Sequence, residues 1–317
     1  MDAIKASKLT PIARIITDFL QHCQYEKNLT SKTIYAYRSD LNMFLHYLHA
    51  SYPLSLSLEQ VSKEIIKEYM QHLFRYKPKT VKRKLASLKA LFNYYDYEHD
   101  NFLNPFRKLR IRFKEPLVLP TVMTCHEIKN ILKYLYQARS SNPHPDAYLY
   151  KAQTRDIAVI ELLFATGIRV SELCGLSCHA VDLRQATVRI FGKGGKERII
   201  QLCSPDVIKI LRQYQLLFQP CDSFFVNRLG SPLSPASVRA LVKRCRTEIG
   251  MNKKITPHTF RHTFATLLLE EDVDIKYIQN LLGHSSITTT QIYTHVNMAK
   301  QRQLLSTKHP RRLIDLE

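Results

Sequence analysis

The chain has 317 residues, 45% of them hydrophobic, which is enough apolar content for folded cores and excludes wholesale disorder. That length suggests two domains more readily than one. A formal net charge of +20 excludes the near-neutral balance of an ordinary metabolic enzyme and predicts a polyanionic partner. Bases outnumber acids both in residues 1–116 and in the remainder, so both parts are expected to touch that polyanion. Seven scattered cysteines, an odd count with no CxxC pair, fit reduced cytoplasmic usage. Cys174 and Cys178 are spaced to share a helical face, but no second Cys/His pair lies nearby to complete a zinc site. No apolar run is long enough to span a membrane, and no signal-peptide core opens the chain.

In chain order, the first hundred residues read as helices. Thr30 or Ser31 is an N-cap candidate for a helix to about Leu48, with Ile34, Tyr37, Leu41, Phe44, Leu45 and Leu48 as its apolar stripe. A second helix is expected from about Leu58 to Phe74. A third is expected from Thr80 to about Tyr95, with Val81, Leu85, Leu88, Leu91 and Phe92 turned inward. Its leading loop and other face carry Arg75, Lys77, Lys79, Lys82, Arg83, Lys84 and Lys89 with no acid among them. Such a run is usually a solvated face, but seven uncompensated bases favour contact with a DNA backbone.

Asn104-Pro105-Phe106 closes that helical part, and the proline-interrupted Phe113–Thr121 stretch is the linker candidate, with the boundary near Pro116. The second domain is expected to be mostly helical. Helices are expected to begin near Cys125 and at Thr154, with a loop over residues 140–150 between them. Thr187–Phe191 and Glu197–Ile200 flank Gly192-Lys-Gly-Gly-Lys196 as a β-hairpin. Further helices are expected at about Pro205–Phe218, Ser234–Ile249, His258–Glu270, Ile275–Leu282 and Ser286–Thr294.

The chemistry concentrates in the second domain. Thr256 and Pro257 suit the start of a helix, which puts His258 in its first turn and Arg261 on the same face. A helix N-terminus favours an anion there. Gly283 suits a helix end, with His284 in the following bend and Tyr293 two turns along the next helix. Gly167 ends an apolar helix just before Arg169, and Glu172 is placed to brace Arg169 by an i, i+3 ion pair. Lys193 sits between glycines on the hairpin turn. Each of these alone has a bland reading: a structural histidine, a core tyrosine, a surface salt bridge, a solvated lysine.

Taken as a set they fit attack on a phosphodiester. The five-coordinate transition state needs its non-bridging oxygens neutralised, which two forked guanidiniums do well. A tyrosine nucleophile needs help losing its proton, and the leaving alkoxide needs one from a lysine or histidine. No constellation of Asp and Glu suited to a two-metal nuclease is evident.

At these residues the chain resembles the tyrosine site-specific recombinases of the phage integrase family, and is most similar to Xer-type enzymes. The motifs are ATGIRVSEL, FGKGGKERII, TPHTFRHTFAT and LGHSSITTTQIYTH, followed by Thr294-His-Val-Asn-Met-Ala-Lys and His309-Pro-Arg-Arg. LTSKTIYAYRSDLNMFLHYL and the NPF turn extend the resemblance to the N-terminal part. It implies a mainly α fold: an N-terminal four-helix SAM-like core-binding domain over residues 1–116, then an α-helical catalytic domain with a small antiparallel β-sheet over 117–317.

The resemblance implies that Tyr293 attacks the scissile phosphate, forming a 3′-phosphotyrosyl link and freeing a 5′-hydroxyl. It assigns Arg169 and Arg261 to the non-bridging oxygens, His284 to assisting them, Lys193 to protonating the leaving oxygen, His258 to proton transfer at the tyrosine, and Glu172 to support. It implies no ATP, metal or other cofactor. Its partner is a double-stranded DNA recombination site, recombined through a Holliday junction by a homotetramer, or a heterotetramer with a paralogue, in the cytoplasm. The family's C-terminal helix docks on a neighbouring subunit, which residues Val296–Leu305 would do here unless they pack in cis. The 140–151 stretch is longer than the Xer pattern, and the arm-binding domain of larger phage integrases is not expected. Chromosome dimer resolution and mobile-element integration both fit, as do, in other classes, a non-catalytic DNA-binding regulator and a type IB topoisomerase.

Overall fold

The computed structural model describes residues 11–52, 56–100, 102–109, 120–142, 144, 147–192 and 197–283. The chain divides into two compact units, Met1–Leu117 and Val118–Glu317.

The first unit contains α1 (Pro11–Tyr25), α2 (Ser31–Ser51), α3 (Lys63–His72) and α4 (Pro78–Glu98). Thr30 caps α2 by accepting from the Thr33 N–H. Within the α2 stripe Ile34, Leu41, Phe44 and Leu48 are buried, and Tyr37 and Leu45 are half-buried. They meet Phe19 of α1, Ile66 of α3, and Leu88, Leu91 and Phe92 of α4 in one core. Each such side chain contributes about 1.5–3 kcal/mol on leaving water.

The single helix expected over 58–74 is instead three pieces. Leu58–Gln60 is one 3₁₀ turn, and α3 starts only after Ser62, whose hydroxyl accepts from the N–H groups of Glu64 and Ile65. A serine that satisfies two first-turn donors begins a helix rather than continuing one. Asn104 closes the unit: its side chain accepts from the Phe106 N–H at 3.0 Å and donates to Asn93 at 3.0 Å.

The second unit contains α5 (Cys125–Ser140), α6 (Tyr148–Thr166), α7 (Val170–Cys174), α8 (Pro205–Phe218), α9 (Pro235–Glu248), α10 (Pro257–Glu270) and α11 (Ile275–Leu282). Strands β1 (Val181–Asp182), β2 (Thr187–Phe191) and β3 (Glu197–Gln201) pair antiparallel in that order. Helix α6 is the axis of this unit. Ile157, Ala158, Val159, Ile160, Leu162 and Leu163 are all fully buried, the signature of a helix covered all round. It begins at Tyr148, six residues before the expected start at Thr154. Thr154 does not cap: its hydroxyl donates back to the Tyr150 carbonyl at 3.0 Å inside the helix. The loop expected over 140–150 is shorter accordingly.

Cys174 ends α7, and Gly175 separates it from Cys178, which opens a 3₁₀ turn. The two thiols therefore do not share a helical face. The linker core at 113–119, the hairpin turn at 193–196, the helix expected at Ser286–Thr294 and the docking helix expected at Val296–Leu305 lie outside the described residues.

Candidate active site

Four chain segments of the second unit meet at the C-terminal end of α11. Gly167 takes φ 57° and ends α6; a Cβ there would lie 2.6 Å from Phe264 Cδ1 and 2.9 Å from Leu282 Cδ2. Only a glycine allows both that left-handed turn and the close approach of α10 and α11. The turn delivers Arg169 to the N-cap of α7. Glu172, in the third position of α7, reaches back: Oε2 accepts from the Arg169 N–H at 2.9 Å and Oε1 from Arg169 Nη1 at 2.7 Å.

Arg261 lies on α10 with only 3% of its surface exposed. Its Nη1 donates to the Gly167 carbonyl at 2.8 Å and its Nη2 to the Leu282 carbonyl at 2.5 Å. Arg169 Nη2 donates to the Gly283 carbonyl at 3.0 Å. A third arginine completes the pattern: Arg198 of β3 donates from Nε to the Leu281 carbonyl at 2.8 Å. Three consecutive carbonyls at the end of α11 are thus each held by a different guanidinium. These are acceptors a helix end leaves without intrahelical partners, on the negative pole of its dipole. Gly283, at φ 64°, makes the turn that presents them.

Arg198 also grips Glu172, with Nη1 to Oε1 at 3.2 Å and Nη2 to Oε2 at 2.8 Å. The Glu172 side chain is 7% exposed. Burial pushes its carboxyl pKa up, but the hydrogen bonds from Arg198 and from the backbone and guanidinium of Arg169 outweigh that and leave it below the ordinary range. Among the described residues at this corner, three guanidiniums face one carboxylate, so the excess is positive.

His258 reports that field. It occupies the second position of α10, exposed at the surface, on the same face as Arg261. Its pKa is lowered, first by partial desolvation and then by Arg261, Arg169 and Arg239. That environment favours the neutral ring, the form able to accept a proton. His262, one turn on, is driven down to about 4 by burial, His258 and Arg261.

Of the residues singled out in the sequence, Arg169, Glu172, His258 and Arg261 gather at this corner. Lys193, His284 and Tyr293 lie outside the described residues; His284 follows Gly283 directly in the chain. Arg198 and the α11 carbonyls were not among the sequence candidates. The hairpin held a signal for Arg198: it pairs with Ile190, which is fully buried, so an arginine stands on the inward face of the sheet.

In the first unit, Arg75, Lys77, Lys79, Lys82, Arg83 and Lys89 are exposed along the start and outer face of α4. Lys84 corrects the expectation. It is 5% exposed, and its Nζ donates to Asp40 Oδ1 of α2 at 3.0 Å. Arg83 shares the same carboxylate. The acid missing from the basic run is supplied by another helix, and Lys84 presents no charge to a partner at the surface.

The phage integrase family profile matches residues 121–300, and the profile of the phage integrase N-terminal SAM-like domain matches 16–98. A tyrosine recombinase of Agathobacter rectalis is 44% identical over 301 residues, 94% of this chain and 96% of that protein. Tyrosine recombinase XerC of Thermodesulfovibrio yellowstonii is 34% identical, covering 93% of this chain and 96% of its own length. Among solved structures, a post-cleavage complex of the XerH site-specific recombinase with a palindromic difH substrate is similar in fold. Its TM-score is 0.73 at 23% identity, over 92% of this chain and 84% of that one.

Proposed function

The chain belongs to the phage integrase family, and from that premise we propose how its own residues carry out site-specific recombination of DNA. The protein is a tyrosine recombinase, an enzyme that breaks and rejoins DNA strands. The observation that carries the residue assignment is the gathering of Arg169 and Arg261 on adjacent carbonyls of one helix end, with His258 on the same face of α10 as Arg261.

In this reading a scissile phosphate sits against Arg169 and Arg261, whose guanidiniums neutralise its non-bridging oxygens as charge builds in the transition state. The Tyr293 oxygen attacks phosphorus while His258 takes the phenolic proton. The bond from phosphorus to the 5′ oxygen breaks, and Lys193 donates the proton that turns that oxygen into a hydroxyl. His284 adds a hydrogen bond to the phosphate. The new 3′-phosphotyrosyl ester keeps the energy of the broken bond, so the 5′-hydroxyl of another strand reverses the step without ATP. Recombining two duplexes breaks four strands, each at one tyrosine, so four protomers act together, all of this chain or shared with a paralogue.

The N-terminal unit, taken as residues 1–116, holds the duplex through Arg75, Lys77, Lys79, Lys82, Arg83 and Lys89, while residues 117–317 carry the chemistry. No described helix is long and apolar enough to cross a membrane. A cytoplasmic enzyme acting on chromosomal or element DNA is the reading that fits.

The test is covalent capture in the native host. Wild-type and Tyr293→Phe proteins are expressed, denaturant-resistant protein–DNA adducts are isolated, and the attached ends are sequenced. The expected result is wild-type-specific adducts at a few sites. Sites near the replication terminus indicate chromosome dimer resolution, and sites at an element boundary indicate integration or excision. Adducts scattered over the genome would mean a topoisomerase, and adducts equal in the two proteins would remove Tyr293 as the nucleophile.

A further inference from the structure

Arg198 lies outside the reacting set, yet all three of its guanidinium nitrogens are engaged at the corner. Nε faces the Leu281 carbonyl and the two Nη atoms face the two oxygens of Glu172. Glu172 in turn is saturated: each oxygen accepts once from Arg198 and once from Arg169. The side chain of Arg198 is 11% exposed, and a Cβ at Gly283 would lie 3.0 Å from its Nη1. It is therefore wedged between the carboxylate that aims Arg169 and the helix end that Arg169 itself grips.

We propose that Arg198 is a positioning residue for strand cleavage: by clamping Glu172 to the end of α11 it fixes the direction of the Arg169 guanidinium. This rests on the reading of Arg169 as a phosphate-holding residue. Without Arg198 the Glu172 carboxylate loses two of its four donors and can rotate away from Arg169, and the Leu281 carbonyl loses its partner. A lysine cannot replace it. An ammonium is a point donor on a flexible stem and cannot serve two carboxylate oxygens and a carbonyl in one plane. A small loss of aim at a phosphate is costly, since a displacement of about 1 Å can slow a reaction roughly 100-fold.

The test uses Arg198→Ala and Arg198→Lys in the full chain, with a duplex built from the sequence captured by wild type. Single-turnover cleavage is compared on the ordinary diester and on a methylphosphonate at the scissile position. The methyl group removes the anionic charge that Arg169 must hold, so a fault in aiming Arg169 matters less there. Both variants are expected to lower the urea midpoint, since they weaken a buried ion pair, but to stay folded without urea and keep wild-type duplex binding, while slowing diester cleavage by roughly ten- to hundredfold and methylphosphonate cleavage by much less. Equal slowing on both substrates, or none on the diester, overturns the proposal.

A DNA-free measurement separates this from the reading of the site. In nitrogen-15 spectra, rotation of the Arg169 guanidinium is expected to be slow in wild type and to quicken in both variants. Unchanged rotation overturns the proposal even where wild type cleaves. Quickened rotation in a protein whose wild type cleaves neither substrate upholds the clamp and removes the catalytic reading instead.

Discussion

Lys84 and Asp40 form a buried ion pair between α4 and α2, with Nζ 3.0 Å from Oδ1 and the Asp40 side chain fully buried. Ser87 donates to the other carboxylate oxygen at 2.9 Å, and Arg83 joins from the surface. Stripping one partner from such a pair leaves an uncompensated charge in the core, which costs about 3–5 kcal/mol. Asp40→Ala is expected to destabilise the protein by that order in urea unfolding. The Asp40→Leu, Lys84→Met pair, which removes both charges, is expected to recover most of the loss.

Lys79 provides the contrast. It is exposed at the start of α4, on the face assigned to DNA. Lys79→Ala is expected to leave the urea midpoint unchanged and to weaken duplex binding. The slope of log affinity against log salt is expected to fall by about one. Weakened binding with an unchanged slope would mean that Lys79 does not meet a phosphate.

The position of Lys84 was readable before any coordinates. Val81, Lys84, Leu85, Leu88, Leu91, Phe92 and Tyr95 step by three and four, so Lys84 stands on the apolar face. Its charge masks that phase. The main helices were legible for the same reason, because their stripes are regular, and several open on a serine, threonine or aspartate cap, as at Thr30, Thr124, Ser234 and Asp274. The break at Ser62 and the early start of α6 were not, since each turns on the partner one hydroxyl takes: Ser62 accepts from first-turn N–H groups, and Thr154 donates back to a carbonyl. At the site, Arg169, His258 and Arg261 were visible as residue types. The backbone carbonyls of residues 281–283 have no signature in a sequence, because every residue carries one. What makes them a site is the αL turn at Gly283 and three arginines arriving from β3, α7 and α10.

Gly167 tests how closely that corner must pack. Its φ of 57° already disfavours a side chain, and an added Cβ meets Phe264 and Leu282 inside contact distance. A left-handed non-glycine residue costs about 1–2 kcal/mol before any clash. Gly167→Ala is expected to lower the urea midpoint by at least that much. It is also expected to slow cleavage, because the Gly167 carbonyl holds Arg261. A variant with wild-type stability and rate would mean that α10 and α11 shift without consequence.

Glu161 is buried on α6, where it accepts a hydrogen bond from the Tyr136 hydroxyl at 3.0 Å. Burial raises its pKa, the Tyr136 bond opposes this, and Asp206 adds to the rise. An acid whose pKa is higher in the folded state contributes stability below its unfolded value of 4.5 that is lost as pH rises through the folded value. Glu161→Gln keeps an acceptor for Tyr136 and removes the charge. The variant is expected to be more stable than wild type at pH 8, with the gap closing below pH 4.5. Calorimetric Tm values at the two pH values check this, and a variant less stable at pH 8 would refute it.

His262 has the opposite sign. Its folded pKa lies at about 4, below the ordinary 6.5, chiefly through burial beside His258 and Arg261. The unfolded chain therefore binds its proton first as pH falls. The stability tied to the neutral ring is full above about pH 6.5 and is lost progressively between there and about 4. His262→Gln removes that titration from the half-buried face of α10. Urea midpoints measured every half pH unit from 7 to 4 are expected to fall less steeply in the variant than in wild type. Because the positive corner of Arg261 stays in place, His258 is still expected to titrate below 6.5 in the variant, and the pH dependence of cleavage is expected to keep its low-pH limb. If instead the variant's stability slope matches wild type, the ring is not held neutral by this environment.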